Sequence, residues 1–306
     1  MKSENFLYHV VAFVTVAIWG STFVFTKLLL LNGLSPAQIF TLRFLIAYVL
    51  LSGYELLFLR RHHRWLADSW RDELLMLLLG VTGGSLYFLT ENEALNYTAT
   101  TNVSLIVCSC PLVAALLIGL FYRSQRMRPL QIAGTLMAAC GVAMVVLNGH
   151  FVLHLSPVGD ALALTANVCW AVYSLLMIPA NKRYSAVFVT RKVFFYGLLT
   201  MIPYYVLRPA ELPLALGGEL DLAVLLRPQV VGNLLFLGVV ASCICFLVWT
   251  WVMDKLGALI ATNYVYVNPL STIVVASLVL NEQITAFFLL GALLILAGMA
   301  LADRKR

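Results

Sequence analysis

Long apolar runs separated by short polar joins make up most of this chain. A membrane-spanning helix needs about 20 mainly apolar residues. Ten runs come near or exceed that length: Phe6–Leu31, Pro36–Leu59, Leu74–Leu95, Thr98–Tyr122, Pro129–Leu147, Pro157–Ala180, Ala186–Leu207, Val230–Met253, Gly257–Leu280 and Ile284–Ala302. Some joins are very short, such as Asn32–Ser35 and Asn281–Gln283. The runs are too long and too uniformly apolar to be barrel strands of period two. The expected fold is an all-α integral membrane protein with ten transmembrane helices.

Composition agrees with a lipid solvent. The 306 residues are 62% hydrophobic and 11% charged, with mean hydropathy +0.93. A soluble domain is nearer half apolar and about a quarter charged. The net charge of +6 would suit nucleic acid, but the basic residues flank apolar runs, so no nucleic-acid partner is expected. Their distribution orients the chain. With the N-terminus inside, fourteen Lys and Arg fall in cytoplasmic segments, including Arg60, Arg61 and Arg64, Arg123, Arg126 and Arg128, and Arg304, Lys305 and Arg306. Only Arg208 and Arg227 fall outside, while Lys27, Arg43, Arg191 and Lys192 lie within runs. The expected placement is multi-pass in a bacterial-type inner (plasma) membrane, with both termini cytoplasmic. The first run is too long for a cleavable signal and lacks a small-residue cleavage site, so it reads as a retained span. The six cysteines lie within apolar runs and read as small packing residues.

The second half repeats the first. Asn102–Tyr122 (NVSLIVCSCPLVAALLIGLFY) and Ile260–Leu280 (IATNYVYVNPLSTIVVASLVL) both carry Pro-Leu ten residues in, at Pro111 and Pro269. Gly134 and Gly141 match Gly291 and Gly298. IWGSTF (Ile18–Phe23) parallels CWAVYS (Cys169–Ser174), and TLRF (Thr41–Phe44) parallels TRKV (Thr190–Val193). Two five-helix units follow, residues 1–148 and 149–306. Five is odd, so the second unit enters from the opposite side. Such inverted repeats are common in secondary transporters, with the substrate site at the repeat interface near mid-membrane.

In these residues the chain resembles the drug/metabolite transporter superfamily, and specifically its EamA-type members. The resemblance is carried by Trp19-Gly20-Ser21-Thr22 with Lys27, Arg43-Phe44, Ala94-Leu95-x-Tyr97-Thr98, Pro111, Gly159–Ala163 running toward Trp170-Ala171-x-Tyr173, and Pro269 followed by Asn281–Ile284. Their order and spacing across ten spans carry it, rather than any single motif. One departure is Ser124, which stands where the family's first repeat usually has a Glu like Glu282 of the second. The resemblance implies export or exchange of a small metabolite, often an amino acid, by alternating access. A lipid-linked-sugar flippase or drug efflux pump on the same scaffold is the alternative, and a non-transporting receptor or membrane enzyme is a third class. No P-loop, HExxH or nucleophile–base motif is present, so neither a cofactor nor enzymatic activity is expected, and proton coupling or a counter-substrate stays open.

Helical periodicity picks out candidate binding residues. Thr15, Trp19, Thr22 and Thr26 form one stripe, and Asn167, Trp170, Tyr173 and Ser174 form its counterpart. Polar stripes in a membrane helix face inward, as a cavity wall or as packing. Trp19, Thr22, Asn167, Trp170 and Tyr173 are read as wall, and Gly20 and Ser21 as packing. The fourth run adds Asn102, and the ninth adds Asn263 and Tyr266, with Asn268 beside them. Lys27 can snorkel to the interface. Arg43 needs water, a partner or a snorkelling route. Glu91 lies in YFLTENEALNYT and must be neutralised, hydrated or paired.

Overall fold

The computed structural model describes residues 2–59, 64–94, 97, 103, 106–122, 127–147, 156–213, 222–280 and 286–302. Among these residues no strand is present. In chain order the apolar helical stretches are α1 (Lys2–Leu31), α2 (Pro36–Phe58), α3 (Trp70–Ala94), α4 (Ile106–Phe121), α5 (Pro129–Leu147), α6 (Pro157–Arg183), α7 (Ala186–Leu207), α8 (Pro228–Leu256), α9 (Ala258–Asn263, Tyr264–Val267 and Asn268–Leu280) and α10 (Ala286–Ala302). Eight of them are long and apolar enough to cross a membrane, and α4 and α10 are shorter. The run expected from Thr98 is described as helix from Ile106, and the one expected from Ile284 from Ala286.

Caps explain where several helices begin. Ser35 precedes Pro36, accepts from the Gln38 amide, and its own amide donates to Gln38 Oε1 at 2.8 Å. Such a capping box contributes about 1 kcal/mol. Helix α3 starts at Trp70, earlier than its apolar run, because Ser69 Oγ accepts from the Asp72 amide at 3.2 Å. Helix α6 continues through Pro179 to Arg183. The turns after α1 and α8 use Gly33 (φ 92°) and Gly257 (φ 84°), a left-handed conformation that glycine adopts without penalty.

Four irregularities fall in matched places. A π turn interrupts α3 at Val81–Ser85, and another interrupts α8 at Phe236–Ile244. Before Pro111, the Ser109 amide reaches back to the Ile106 carbonyl at 3.2 Å, the tight spacing of a 3-10 turn. Before Pro269, Tyr264–Val267 is a 3-10 helix. Both turns stand just ahead of a proline, which cannot donate to the preceding turn.

Helices α5 and α10 pair antiparallel at one edge. A Cβ on Gly134 would sit 2.5 Å from the Gly298 carbonyl oxygen, and one on Gly141 would sit 2.7 Å from that of Gly291. Only glycine allows backbones this close. Gly20 is likewise pressed against α9, where its Cβ would fall 2.5 Å from the Asn268 carbonyl oxygen, so its role is packing. The remaining helices surround an aromatic core around Phe44, Tyr173, Phe194, Phe246 and Trp249. Leucines such as Leu116, Leu278 and Leu293 point outward and are 64–78% exposed, an arrangement that suits lipid rather than water.

Candidate functional site

A cavity of about 470 Å³ occupies the half of the bundle nearer the α1–α2 turn. Helix α1 lines it with Trp19, Thr22, Thr26, Lys27 and Leu30, and α2 lines it with Ile39, Phe40 and Arg43. Helix α3 adds Tyr87, Phe88, Glu91 and Asn92, spacings that put all four on one face. Val107 and Cys110 of α4, Trp170 of α6, Phe246 of α8, and Asn268 and Thr272 of α9 also line it.

The base of the cavity is aromatic. Trp19 and Trp170 meet edge to face, with ring centroids 5.6 Å apart at 87°. Tyr87 lies 5.2 Å from Trp170, and Phe246 lies 5.3 Å from Trp19. The Trp19 indole donates to the Ala241 carbonyl at 2.8 Å, inside the α8 π turn.

Two basic residues, Lys27 and Arg43, and one carboxyl, Glu91, face this space. Tyr87 Oη donates to Glu91 Oε1 at 2.8 Å. Glu91 is 5% exposed and Arg43 4%. Arg43 Nε donates to Ser242 Oγ at 2.8 Å, and its guanidinium lies 5.0 Å from the Phe88 ring centroid. Arg43 and Glu91 do not pair directly, although the Arg43 charge acts on Glu91 through space. Lys27 stands nearer the mouth. With Glu91 ionised, the wall carries two cations and one anion. It can therefore hold a guest bearing a carboxylate near Arg43 and an apolar body against the rings, with Glu91 and Tyr87 left to meet a donor.

The sequence candidates divide between cavity and packing. Trp19, Thr22, Glu91 and Trp170 line the cavity together. Asn167 does not, because its Nδ2 donates to the Ile106 carbonyl and to Ser109 Oγ at 2.8 Å, tying α6 to α4. Tyr173 is fully buried against Gly83, and Tyr266 is fully buried beside Cys108 and Ala138. Asn263 is buried near the start of α9 and does not line the cavity. Asn102 lies outside the described residues. The sequence reading did not pick out Phe40, Phe88, Asn92 and Thr272 as wall residues. Their signal was spacing: Asn92 follows Phe88 by one turn, and Thr272 follows Asn268 by one turn.

The opposite end of the bundle is closed by ion pairs. Arg191 of α7 meets Glu55 of α2 at 2.9 Å, with both side chains at most 4% exposed. Lys192 pairs with Glu73 of α3, and Arg183 of α6 pairs with Asp72 at 2.5 Å. The Arg191 guanidinium also donates to the Arg64 carbonyl. Tyr184 Oη accepts from the Asp68 amide at 2.9 Å, and burial pushes this phenol above its usual range.

The comparisons with known proteins agree with this architecture. An uncharacterized transporter of Archaeoglobus fulgidus is 28% identical over 97% of this chain and 98% of its own length. A probable terminal-alkyne amino-acid exporter of Streptantibioticus cattleyicolor is 27% identical over 77% of this chain and 74% of its own. A probable amino-acid metabolite efflux pump of Escherichia coli is 24% identical over 95% of this chain and 92% of its own. One crystal structure matches the fold with a TM-score of 0.74 at 19% identity, covering 97% of this chain and 96% of that one. Residues 6–147 and 157–302 both match the EamA-like transporter family, and the chain belongs to that family as a multi-pass membrane transporter.

Proposed function

We propose that this transporter exports or exchanges a small amphipathic metabolite, an amino acid or a close relative, across a bacterial-type inner membrane. It works by alternating access between two inverted five-helix repeats, residues 1–148 and 149–306, with both termini cytoplasmic. The observation that carries the substrate reading is the cavity wall: Arg43, Lys27 and Glu91 set over an aromatic base. A carboxylate, an ammonium and an apolar side chain each find a complement there. Two relatives bear names that include amino-acid export or efflux, which agrees with this chemistry.

The packing supports the repeat. Helix α1 lies on α9 as α6 lies on α4, and α1 lies on α8 as α6 lies on α3. Helix α2 lies on α8 as α7 lies on α3, while α5 pairs with α10. Exchanging the two halves maps these contacts onto one another and the α5–α10 pair onto itself. The fourteen-to-two bias of Lys and Arg supports the orientation, in which the cavity mouth faces outward. The paired end is then cytoplasmic.

Counterflow in proteoliposomes tests the reading. Vesicles preloaded with a mixed amino-acid pool should accumulate at least one labelled amino acid, saturably and without ATP. Movement only of a lipid-linked sugar or of a hydrophobic cation would replace this substrate class with the flippase or drug-pump alternative. No flux of any ligand would contradict transport.

A further inference from the structure

Two tryptophans sit at equivalent places in the two halves, Trp19 in IWGSTF and Trp170 in CWAVYS, yet they are bonded differently. Trp19 Nε1 donates to the Ala241 carbonyl at 2.8 Å. Ala241 lies in the α8 π turn, and a π turn frees carbonyls from the regular helical ladder. Trp170 Nε1 is buried and has no hydrogen-bond partner. A buried N–H in that condition is rare in a native fold and calls for an explanation.

The other half holds the matching acceptor. GVTGGSLYFL (Gly80–Leu89) and GVVASCICFL (Gly238–Leu247) align without a gap, so Gly83 stands where Ala241 stands. Gly83 lies in the α3 π turn and Ala241 in the α8 π turn. Trp170 is already beside this turn. Its ring is 5.1 Å from that of Tyr173, one helical turn on, and a Cβ built on Gly83 would come 2.4 Å from the Tyr173 ring. Trp19 and Trp170 also touch each other, so neither ring can turn without the other yielding.

We infer that Trp19 and Trp170 form a two-position latch: the Trp19 bond to the Ala241 carbonyl holds the state with the cavity beside the α1–α2 turn, and a Trp170 bond to the Gly83 carbonyl holds the state open to the other face. The inference rests on the alternating-access reading, in which two inverted halves exchange conformations. The unpartnered Trp170 N–H is the bond that the other state makes, and the Trp19 N–H is then the one released. One bond is exchanged for another, so the two states stay close in free energy.

Side-specific thiol labelling tests the latch. In a background with the six native cysteines replaced, Asn92→Cys reports the cavity and Met177→Cys, fully buried here, reports the opposite face. A membrane-impermeant thiol reagent is applied to each face of reconstituted vesicles. Trp→Phe keeps an aromatic ring and deletes the donor. Trp19→Phe should slow labelling at Asn92→Cys and speed it at Met177→Cys, changing the ratio of the two rates by about fivefold, the change expected for one net hydrogen bond of ~1 kcal/mol. Trp170→Phe should shift that ratio the other way by a similar factor. Benzothienylalanine at either position, which replaces the N–H with sulfur at nearly unchanged shape, should reproduce each shift and covers the case of a phenylalanine variant that does not fold. Shifts of the same sign in both variants, or none in either, would overturn the latch. Flux on the same vesicles is read separately: its absence in the unsubstituted protein contradicts transport, while the labelling still decides the latch.

Discussion

In the proposed repeat Arg43 and Lys192 occupy equivalent places, in TLRF and TRKV, and have different surroundings. Lys192 pairs with Glu73, and the rings of Phe188, Phe195 and Tyr196 lie within 6.0 Å of its ammonium. Arg43 has a serine and one phenyl ring, and faces an open cavity. The same contrast holds between the two ends of the bundle. At one end Glu55, Asp72 and Glu73 neutralise Arg191, Arg183 and Lys192. At the other, Lys27, Arg43 and Glu91 line a space large enough for a small molecule. The charges at the first end satisfy one another, whereas Arg43 and Glu91 at the second do not pair directly. In a low-dielectric interior an uncompensated charge is costly, so an unpaired cation beside a cavity points to an anionic guest.

The largest loss is expected at the closed end. Removing one partner of a buried ion pair leaves the other uncompensated and costs about 3–5 kcal/mol. Arg191→Met should therefore lower the thermal unfolding midpoint in detergent markedly, whereas the paired variant Glu55→Met/Arg191→Met should recover most of the loss. Equal losses in both would mean that packing, not charge pairing, holds this end. Asp72 and Arg183 should matter less, because Arg183 is 63% exposed and solvent screens the pair.

At the cavity end the expected loss is in function rather than stability. Arg43→Gln should weaken substrate affinity at least tenfold in counterflow, since a charge-assisted hydrogen bond is worth about 1.5–3 kcal/mol. Its unfolding midpoint should change far less than that of Arg191→Met. A smaller effect is expected at Glu91. Glu91→Gln keeps size and hydrogen bonding to Tyr87 but removes the charge. Affinity for substrates with an ammonium group should fall by about three- to tenfold, while analogues without one should bind as before. Equal loss for both classes would assign Glu91 to structure or to coupling instead.

Much of the scaffold was legible in the sequence, because long apolar runs dominate it and lipid permits few alternatives. The ends of α3 and α6 were less legible. The apolar pattern stops at Leu74 and Ala180, but the Ser69 cap and the Arg183–Asp72 pair carry both helices further. The π turns left no periodic signal, and one of them is bonded by a tryptophan 222 residues away. The polar stripes were found, but a stripe reads the same whether it meets water or another helix. Trp19 and Thr22 face the cavity, whereas Asn167 satisfies the Ile106 carbonyl beside the turn before Pro111. Arg43 and Lys27 stood out as charges within apolar runs. Their common cavity depends on how α1 and α2 pack with α3, α8 and α9, and no local pattern encodes that.

The space between Arg43, Glu91 and the paired tryptophans is the proposed substrate site. Its most direct test is substrate protection of single cysteines at Asn92, Thr272 and Leu293 in a cysteine-free background. A small water-soluble thiol reagent should modify Asn92→Cys and Thr272→Cys and leave the lipid-facing Leu293→Cys untouched. The amino acid identified by counterflow should slow modification at both cavity sites in proportion to its occupancy. Equal inertness at all three positions, or modification that saturating substrate does not slow, would contradict the account.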